Sequence, residues 1–300
     1  AEVELEHGLI KIRAKKLKGA HIYLDVISVG ATINIMLAAA RAEGKTIIEN
    51  AAKEPEIIDV ANLLNAMGAQ VIGTGTDIIK IQGVPELGGA EHNVIPDRIE
   101  AGTFMIAAAA TGGELLVKDI IPKHLDPVMA KLKEIGVPLA AGPDWIKVLP
   151  GNALSPADVK TFPYPGFPTD LQAPMMVLLT QAPGISLVSE NVFEGRFRHV
   201  AELRKMGARI KLEGRTAIVE GGHELISAPL RATDLRGGAA LVIAGLLSKG
   251  ETVLEGVEHI DRGYEHFEER LNLLGAKIER RIMTEGVFPG KSFVLFCLRM

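Results

Sequence analysis

Three hundred residues, 47% hydrophobic and 23% charged, make a chain long enough for one large buried core or two smaller ones. A net charge of −4 and a pI near 6.1 exclude bulk attraction to nucleic acid or an anionic membrane, so a bound anion must be held by locally placed arginines. The single cysteine, Cys297, excludes an internal disulfide and fits a reducing cytoplasm, and no apolar run reaches the roughly 18 residues of a membrane span.

The chain opens on Ala1-Glu2-Val3. Similar triplets follow three glycines further on: Ala69-Gln70-Val71, Ala208-Arg209-Ile210 and Ala276-Lys277-Ile278. With Gly136, the glycines at 68, 207 and 275 mark one pattern written four times, at spacings of 68, 71 and 68 residues. Each copy predicts an apolar helix, a short strand, an amphipathic helix and two strands around a turn. On this pattern Leu5 to Ile12 form the strand pair of an earlier copy, and an N-terminally truncated chain is expected.

The first helices, Ala31–Ala40, Thr103–Ala110, Met175–Leu179 and Ala239–Leu247, are nearly uncharged on every face and are expected to be buried all round. The second helices are amphipathic. Their apolar residues are Ile57, Val60, Leu64 and Met67; Val128, Leu132 and Ile135; Phe197, Val200, Leu203 and Met206; and Tyr264, Phe267, Leu271 and Leu274. Pro55 and Asp126-Pro127 signal helix starts, and each marker glycine stands where a left-handed cap is wanted. Alternation at Ile78–Ile81, Ile146–Val148 and Ala217–Glu220 predicts strands that cover the helices with one face.

The fold class is therefore α/β, an inside-out barrel of stacked repeats with helices inside and sheets outside. A doubly wound parallel sheet fits less well, because each copy ends in an antiparallel strand pair. The Gly-rich stretch Pro85–Asn93 is the best linker. It predicts a first domain, 1–95, with one whole repeat and the end of another. The second, 96–300, holds three repeats and a tail.

The copies differ at their helix entrances. Ser28-Val29-Gly30, Asp97-Arg98-Ile99-Glu100, Thr169-Asp170-Leu171 and Thr233-Asp234-Leu235-Arg236 lead into the first helices. Helix capping accounts for Ser28 and Asp97. Asp170 follows a stiff proline-rich segment, Phe162 to Pro168, and Asp234 has Arg236 two residues on. Before the second helices, only the last two copies place an arginine, Arg196 and Arg262. Guanidinium forks beside helix N-termini suit carboxylate and phosphate, so Arg196, Arg236 and Arg262 point to an anion site with an adjacent carboxylate base.

There is no P-loop, no dinucleotide fingerprint and no histidine pair at metal-ligand spacing, so no metal or cofactor is expected. His7, His21, His92, His124, His199, His223, His259 and His266 read as surface or capping residues, and Cys297 as a buried inert thiol.

Six blocks carry a family resemblance: Ser28-Val29-Gly30-Ala31-Thr32, Glu49 to Glu56, Phe167-Pro168-Thr169-Asp170, Val192 to Phe197, Ala232 to Arg236 and His259 to Glu265. In order and spacing they resemble the UDP-N-acetylglucosamine enolpyruvyltransferase family, from residue 1 to about 281. The resemblance implies six repeats in two domains with an active site between them. It implies transfer of the enolpyruvyl group of phosphoenolpyruvate to the 3′-hydroxyl of UDP-N-acetylglucosamine, by addition and then elimination of phosphate. This is the first committed step of peptidoglycan synthesis, carried out by a cytoplasmic enzyme with no cofactor.

By the same resemblance Asp170 is the base at that hydroxyl, Asp234 moves protons at C3, and Arg262 is catalytic. Arg196, Arg236 and Arg262 surround the carboxylate and phosphate of phosphoenolpyruvate. Val192 contacts the sugar nucleotide through its backbone, and Val26, Ile27, Ser28 and Val29 lie at the phosphate end of the nucleotide. Some relatives have Lys where Val26 stands. The family's catalytic-cysteine loop and N-terminal Lys-Asn pair have no counterpart in these residues, and the tail from about 282 departs from the family's ending. No nucleic-acid or membrane partner is expected, and a monomer is. Two other readings remain open: a catalytically silent sugar-nucleotide-binding or interaction protein of the same fold, and the sister transferase of the shikimate pathway.

Overall fold

Gly68, Gly136, Gly207 and Gly275 take φ values of 98°, 97°, 85° and 101°, the left-handed region where a side chain would cost about 1–2 kcal/mol. Each ends an amphipathic helix and turns the chain into the next strand, which is why the pattern recurs. The computed structural model describes residues 2–151, 153–283 and 290–296. They fall into two compact units, one holding the chain up to Ile95 with Pro163–Pro165, the other Pro96–Phe162 and the chain from Gly166 on.

The first unit begins with the antiparallel hairpin β1 (Glu2–Glu6) and β2 (Leu9–Arg13), every residue of it exposed. Then follow β3 (His21–Tyr23), α1 (Val29–Ala39), β4 (Lys45–Glu49), α2 (Pro55–Ala66), β5 (Gln70–Ile72) and β6 (Ile78–Gln82). The last four strands form one sheet in the order β3-β4-β6-β5, with β3 parallel to β4 and the other pairs antiparallel. Met36, Ile48, Ile57, Ile79 and Ile81 are fully buried between this sheet and the two helices.

The second unit contains α3 (Arg98–Thr111), β7 (Leu115–Lys118), α4 (Asp126–Ile135), β8 (Leu139–Ala141) and β9 (Trp145–Val148). It continues with β10 (Val159–Lys160), α5 (Gln172–Thr180), β11 (Gly184–Ser189), α6 (His199–Lys205), β12 (Arg209–Glu213) and β13 (Thr216–Gly221). The last copy is β14 (Pro229–Arg231), α7 (Leu235–Leu247), β15 (Glu251–Glu255), α8 (Phe267–Leu273), β16 (Lys277–Met283) and β17 (Gly290–Phe296). Three sheets result, β7-β9-β8, β10-β11-β13-β12 and β14-β15-β17-β16. Inside them α3, α5 and α7 pack on one another, each also against its own sheet. All of α5 and Gly237–Leu247 of α7 are buried, as helices without a polar face must be. The C-terminal ends of the three inner helices line one recess with Gly112, Gln181 and Leu247.

One expectation is corrected. Helix α1 is not buried all round: only Thr32, Met36 and Ala39 are, and Leu37 is 52% exposed, because its main contacts are with α2 and its own sheet. The tail contributes a strand. Strand β17 lies between β15 and β16, the inner position that β6 and β13 hold in their sheets. Cys297 lies outside the described residues.

In two of the sheets the inner strand, or the residue just after it, approaches the helices closely at a glycine. A Cβ on Gly221 would overlap the carbonyl oxygens of Ala182 and Leu179, and one on Gly83 that of Ala42. Backbone atoms cannot yield as a flexible side chain can. Gly221→Ala should therefore lower stability by about 2–3 kcal/mol, as overpacking does. Gly89→Ala, with nothing within 4 Å, should stay within about 0.5 kcal/mol. Denaturant midpoints of the two variants check this.

Candidate active site

The N-termini of the three inner helices meet at the pole opposite that recess. Asp97 caps α3, its Oδ1 accepting from the N–H groups of Ile99 (2.7 Å) and Glu100 (3.1 Å). Asp234 caps α7, accepting from Gly237 N–H at 2.8 Å. Asp170 sits in the single 3-10 turn Thr169–Leu171 that opens α5, and makes no such cap. Instead its Oδ1 accepts from Arg196 Nη2 at 2.9 Å and from Arg236 Nε at 3.0 Å.

Both arginines are nearly buried, with side chains 13% and 15% exposed, whereas Asp170 is 37% exposed. The Arg196 guanidinium lies 4.9 Å from the centre of the Phe193 ring, and that of Arg236 lies 5.3 Å from that of Tyr264. Tyr264 is itself buried and its hydroxyl pairs with Thr103 Oγ1 at 2.8 Å, which ties α3 into the same cluster. Burial pushes the Asp170 carboxyl up, but Arg236 and Arg196 together outweigh it and hold its pKa below the usual aspartate value. Burial likewise raises the Tyr264 hydroxyl, against the pull of Arg236. The carboxylate is therefore ionised at neutral pH. Arg196 Nε and Arg236 Nη1 remain buried without a hydrogen-bond partner. Two guanidiniums sharing one carboxylate leave a local excess of positive charge, with donors to spare for an anion.

The loop after β11 supplies Val192 and Arg196. Its shape is set by Glu190, 2% exposed, whose Oε1 accepts from Val192 and Phe193 N–H, each at 2.9 Å. Val192 N–H is thus already bonded within the protein. In the first unit, Val26 is 75% and Ile27 38% exposed just before α1, and Ser28 caps that helix by accepting from Ala31 N–H at 3.2 Å. This loop is held from below: Asn50 Nδ2 donates to the Leu24 carbonyl at 2.7 Å, and Ala52 N–H to Thr32 Oγ1 at 3.1 Å. Val29 opens α1 with free helix N–H groups close by.

Of the residues singled out in sequence, Asp170, Arg196 and Arg236 are in direct contact. Asp234 caps the helix that carries Arg236. Arg262 is not hydrogen-bonded to Asp170; it lines an open recess with Tyr264, Glu100 and Arg270. Among the described residues no three His, Cys, Asp or Glu side chains could hold a metal ion, and no helix is long and apolar enough to cross a membrane. Sequence reading missed Glu190, which stands two residues before the Val192 to Phe197 block, and the Tyr264 hydroxyl, whose residue counts there as an apolar position of a helix.

His199 corrects a further expectation. Expected at the surface or in a cap, it is 1% exposed, at the start of α6. Neither ring nitrogen meets a partner at hydrogen-bond geometry. Burial pushes the ring down to about 4, overcoming the opposite pull of Asp234 and of the Arg196 backbone. The unfolded histidine, near 6.5, takes up a proton that the folded one refuses. Stability should thus fall as pH drops from about 6.5 to 4, by about 3 kcal/mol from this group. In His199→Leu that part of the slope should vanish, whatever the offset at neutral pH. Denaturant midpoints of both proteins at pH 7, 5.5 and 4.5 measure it; parallel slopes would contradict it.

A profile of the EPSP synthase (3-phosphoshikimate 1-carboxyvinyltransferase) family matches residues 1–271. The chain is 58% identical over 280 residues to UDP-N-acetylglucosamine 1-carboxyvinyltransferase 3 of Caldanaerobacter subterraneus subsp. tengcongensis, covering 93% of this chain and 67% of that one. It is equally identical over 286 residues to UDP-N-acetylglucosamine 1-carboxyvinyltransferase 2 of Bacillus subtilis, covering 95% and 67%. Among solved structures, the enolpyruvyl transferase NikO from Streptomyces tendae superposes with a TM-score of 0.83 at 27% identity, over 92% of this chain and 68% of that one. EPSP synthase from Acinetobacter baumannii shares the fold, with a TM-score of 0.67 at 22% identity over 86% and 62%. The repeat, the helix-pole cluster and these likenesses agree: the chain belongs to the EPSP synthase family of enolpyruvyl (1-carboxyvinyl) transferases.

Proposed function

We propose that the protein to which this chain belongs moves the enolpyruvyl group of phosphoenolpyruvate to the 3′-hydroxyl of UDP-N-acetylglucosamine and releases phosphate. This is the first committed step of peptidoglycan synthesis, placed in the cytoplasm and carried out by a monomer. Acceptor and group follow the name its 58%-identical relatives bear. The observation that carries the reading is the pair of shielded guanidiniums on one oxygen of Asp170, with Arg196 Nε and Arg236 Nη1 unpaired. Such a cluster suits a small dianion or trianion with a carboxylate and a phosphate.

Both hydrogen bonds fall on Oδ1, which leaves Oδ2 as the atom for a substrate hydroxyl. As long as both arginines rest on Asp170 its carboxylate is a weak base. An anion that draws them away removes their stabilisation of the charged form and raises its basicity, when a hydroxyl needs deprotonation. Asp234 moves the proton at C3, Arg262 completes the anion site from the neighbouring recess, and the backbone at Val192 takes the sugar. The loop Val26, Ile27, Ser28, Val29 meets the phosphates at the N-terminus of α1.

The test is phosphate release by the full-length protein. Asp170→Asn keeps an oxygen for both arginines but cannot take a proton, and turnover should fall by about 10²–10⁴-fold. Near-normal turnover would remove Asp170 as the base. Arg262→Ala should lower kcat/KM for phosphoenolpyruvate, and unchanged kinetics would take it out of the site. Shikimate 3-phosphate, offered as acceptor, should not support release; release with it and none with UDP-N-acetylglucosamine would overturn the assignment of substrate.

A further inference from the structure

The four copies provide an internal standard. The residue that follows the strand after the apolar helix of a copy is Asn50, Asp119 or Gly256 in three of them, each in the left-handed region with φ of 57°, 56° and 76°. In the third copy that residue is Glu190, and the left-handed turn is gone: its N–H continues the sheet by donating to the Arg215 carbonyl at 2.9 Å. The fold evidently does not require a glutamate there, since three copies do without it.

The Glu190 carboxylate is buried and accepts through both oxygens. Besides Val192 and Phe193 N–H on Oε1, it accepts from Thr161 Oγ1 at 2.7 Å on Oε1 and from Thr169 Oγ1 at 2.9 Å on Oε2. Thr161 Oγ1 in turn accepts from Asn191 N–H at 2.9 Å, and Arg215 Nε donates to the Glu190 carbonyl at 2.8 Å. A buried charge costs several kcal/mol unless its acceptor sites are filled. A carboxylate, with two acceptor oxygens, can take four donors from three chain segments at once.

Two of those segments carry the site. Thr169 precedes Asp170 in the turn that opens α5, while Val192 and Phe193 lead to Arg196 in the loop after β11. We propose that Glu190 is a positioning residue: it clamps the Asp170 turn to the Arg196 loop and so fixes the Asp170–Arg196 pair. This rests on the roles given above to Asp170 and Arg196. It predicts effects on turnover from a side chain that touches no substrate.

Glu190→Gln places an N–H₂ group against a donor and should break one arm of the clamp. In the full-length protein kcat should fall about 100-fold, the loss expected from roughly 1 Å of misplacement, with the KM for UDP-N-acetylglucosamine changed less. Thr169→Val removes the Oε2 arm alone and should lower kcat about 10-fold. A second measurement needs no activity: the coupling between Asp170→Asn and Arg196→Gln, taken from denaturant unfolding in a double-mutant cycle. That coupling should be present in the native background and vanish when Glu190→Gln or Thr169→Val is added. Kinetics within twofold of native in both variants, or a coupling that survives them, would overturn the proposal. Should Glu190→Gln fail to fold, Thr169→Val decides by the same two readouts. Should the native protein lack the transferase activity, the functional reading falls, and the unfolding cycle still decides whether Glu190 sets the pair.

Discussion

Two guanidiniums resting on one oxygen of Asp170 form the interaction around which the second unit is arranged. Bringing like charges together in a nearly buried pole is unfavourable unless an acid lies between them and aromatic faces screen them. Here Asp170 is the acid, and Phe193 and Tyr264 are the faces. The difficulty is compounded by location, since three helix N-termini, each with a partial positive charge, meet at the same end. Asp97 and Asp234 each neutralise one of them as caps. Asp170 is the exception, an acid at a helix entrance that serves the arginines instead of the helix.

That arrangement depends on the repeat. Because each copy delivers its apolar helix in the same sense, α3, α5 and α7 must share a polarity, with N-termini at one pole and C-termini at the other. Function then needs only local changes at the entrances. Arg196 stands where the first copy has Glu56 or Ile57, counted from Asn50 or from Gly68, and Glu190 replaces a left-handed Asn, Asp or Gly. Stacking copies therefore makes a scaffold whose departures from its own pattern are the chemistry.

Much of this was legible in the chain because its causes are local. The marker glycines follow from the left-handed turn, and the amphipathic helices from 3.6-residue spacing. The grouping of Asp170, Arg196 and Arg236 was legible because all three stand at helix entrances, Asp170 and Arg236 at first helices and Arg196 before a second. What could not be read depended on neighbours distant in sequence. His199 looks like any polar residue at a helix start, yet its surroundings bury it completely. Helix α1 is as apolar as α7, but exposure is set by how many elements pack against it, and no single helix encodes that number. The first strand of each four-stranded sheet, β3, β10 or β14, has only two or three residues, too few for any periodicity. Strand β17 pairs with β15 across more than thirty intervening residues, and its place shows only once the sheet is assembled.

The buried polar atoms left without partners distinguish a structural ion cluster from a receptive one. A cluster that served stability alone would be expected to close on itself, as Arg280 does, bonding Asp261 through both Nη atoms (2.7 and 2.8 Å) and Glu268 through Nε and Nη2 while lying over the Phe293 ring. Around Asp170 the pattern is reversed. Arg196 Nε and Arg236 Nη1 stay unpaired, as do both ring nitrogens of His199, and Asp170 accepts through a single oxygen. Each unpaired buried donor costs about 1–3 kcal/mol in the absence of a ligand, and an anion that filled them would recover that energy on binding. The contrast between these two arginine clusters, in one unit and built from the same chemistry, is the physical argument for proposing the reaction at one and a stabilising role for the other.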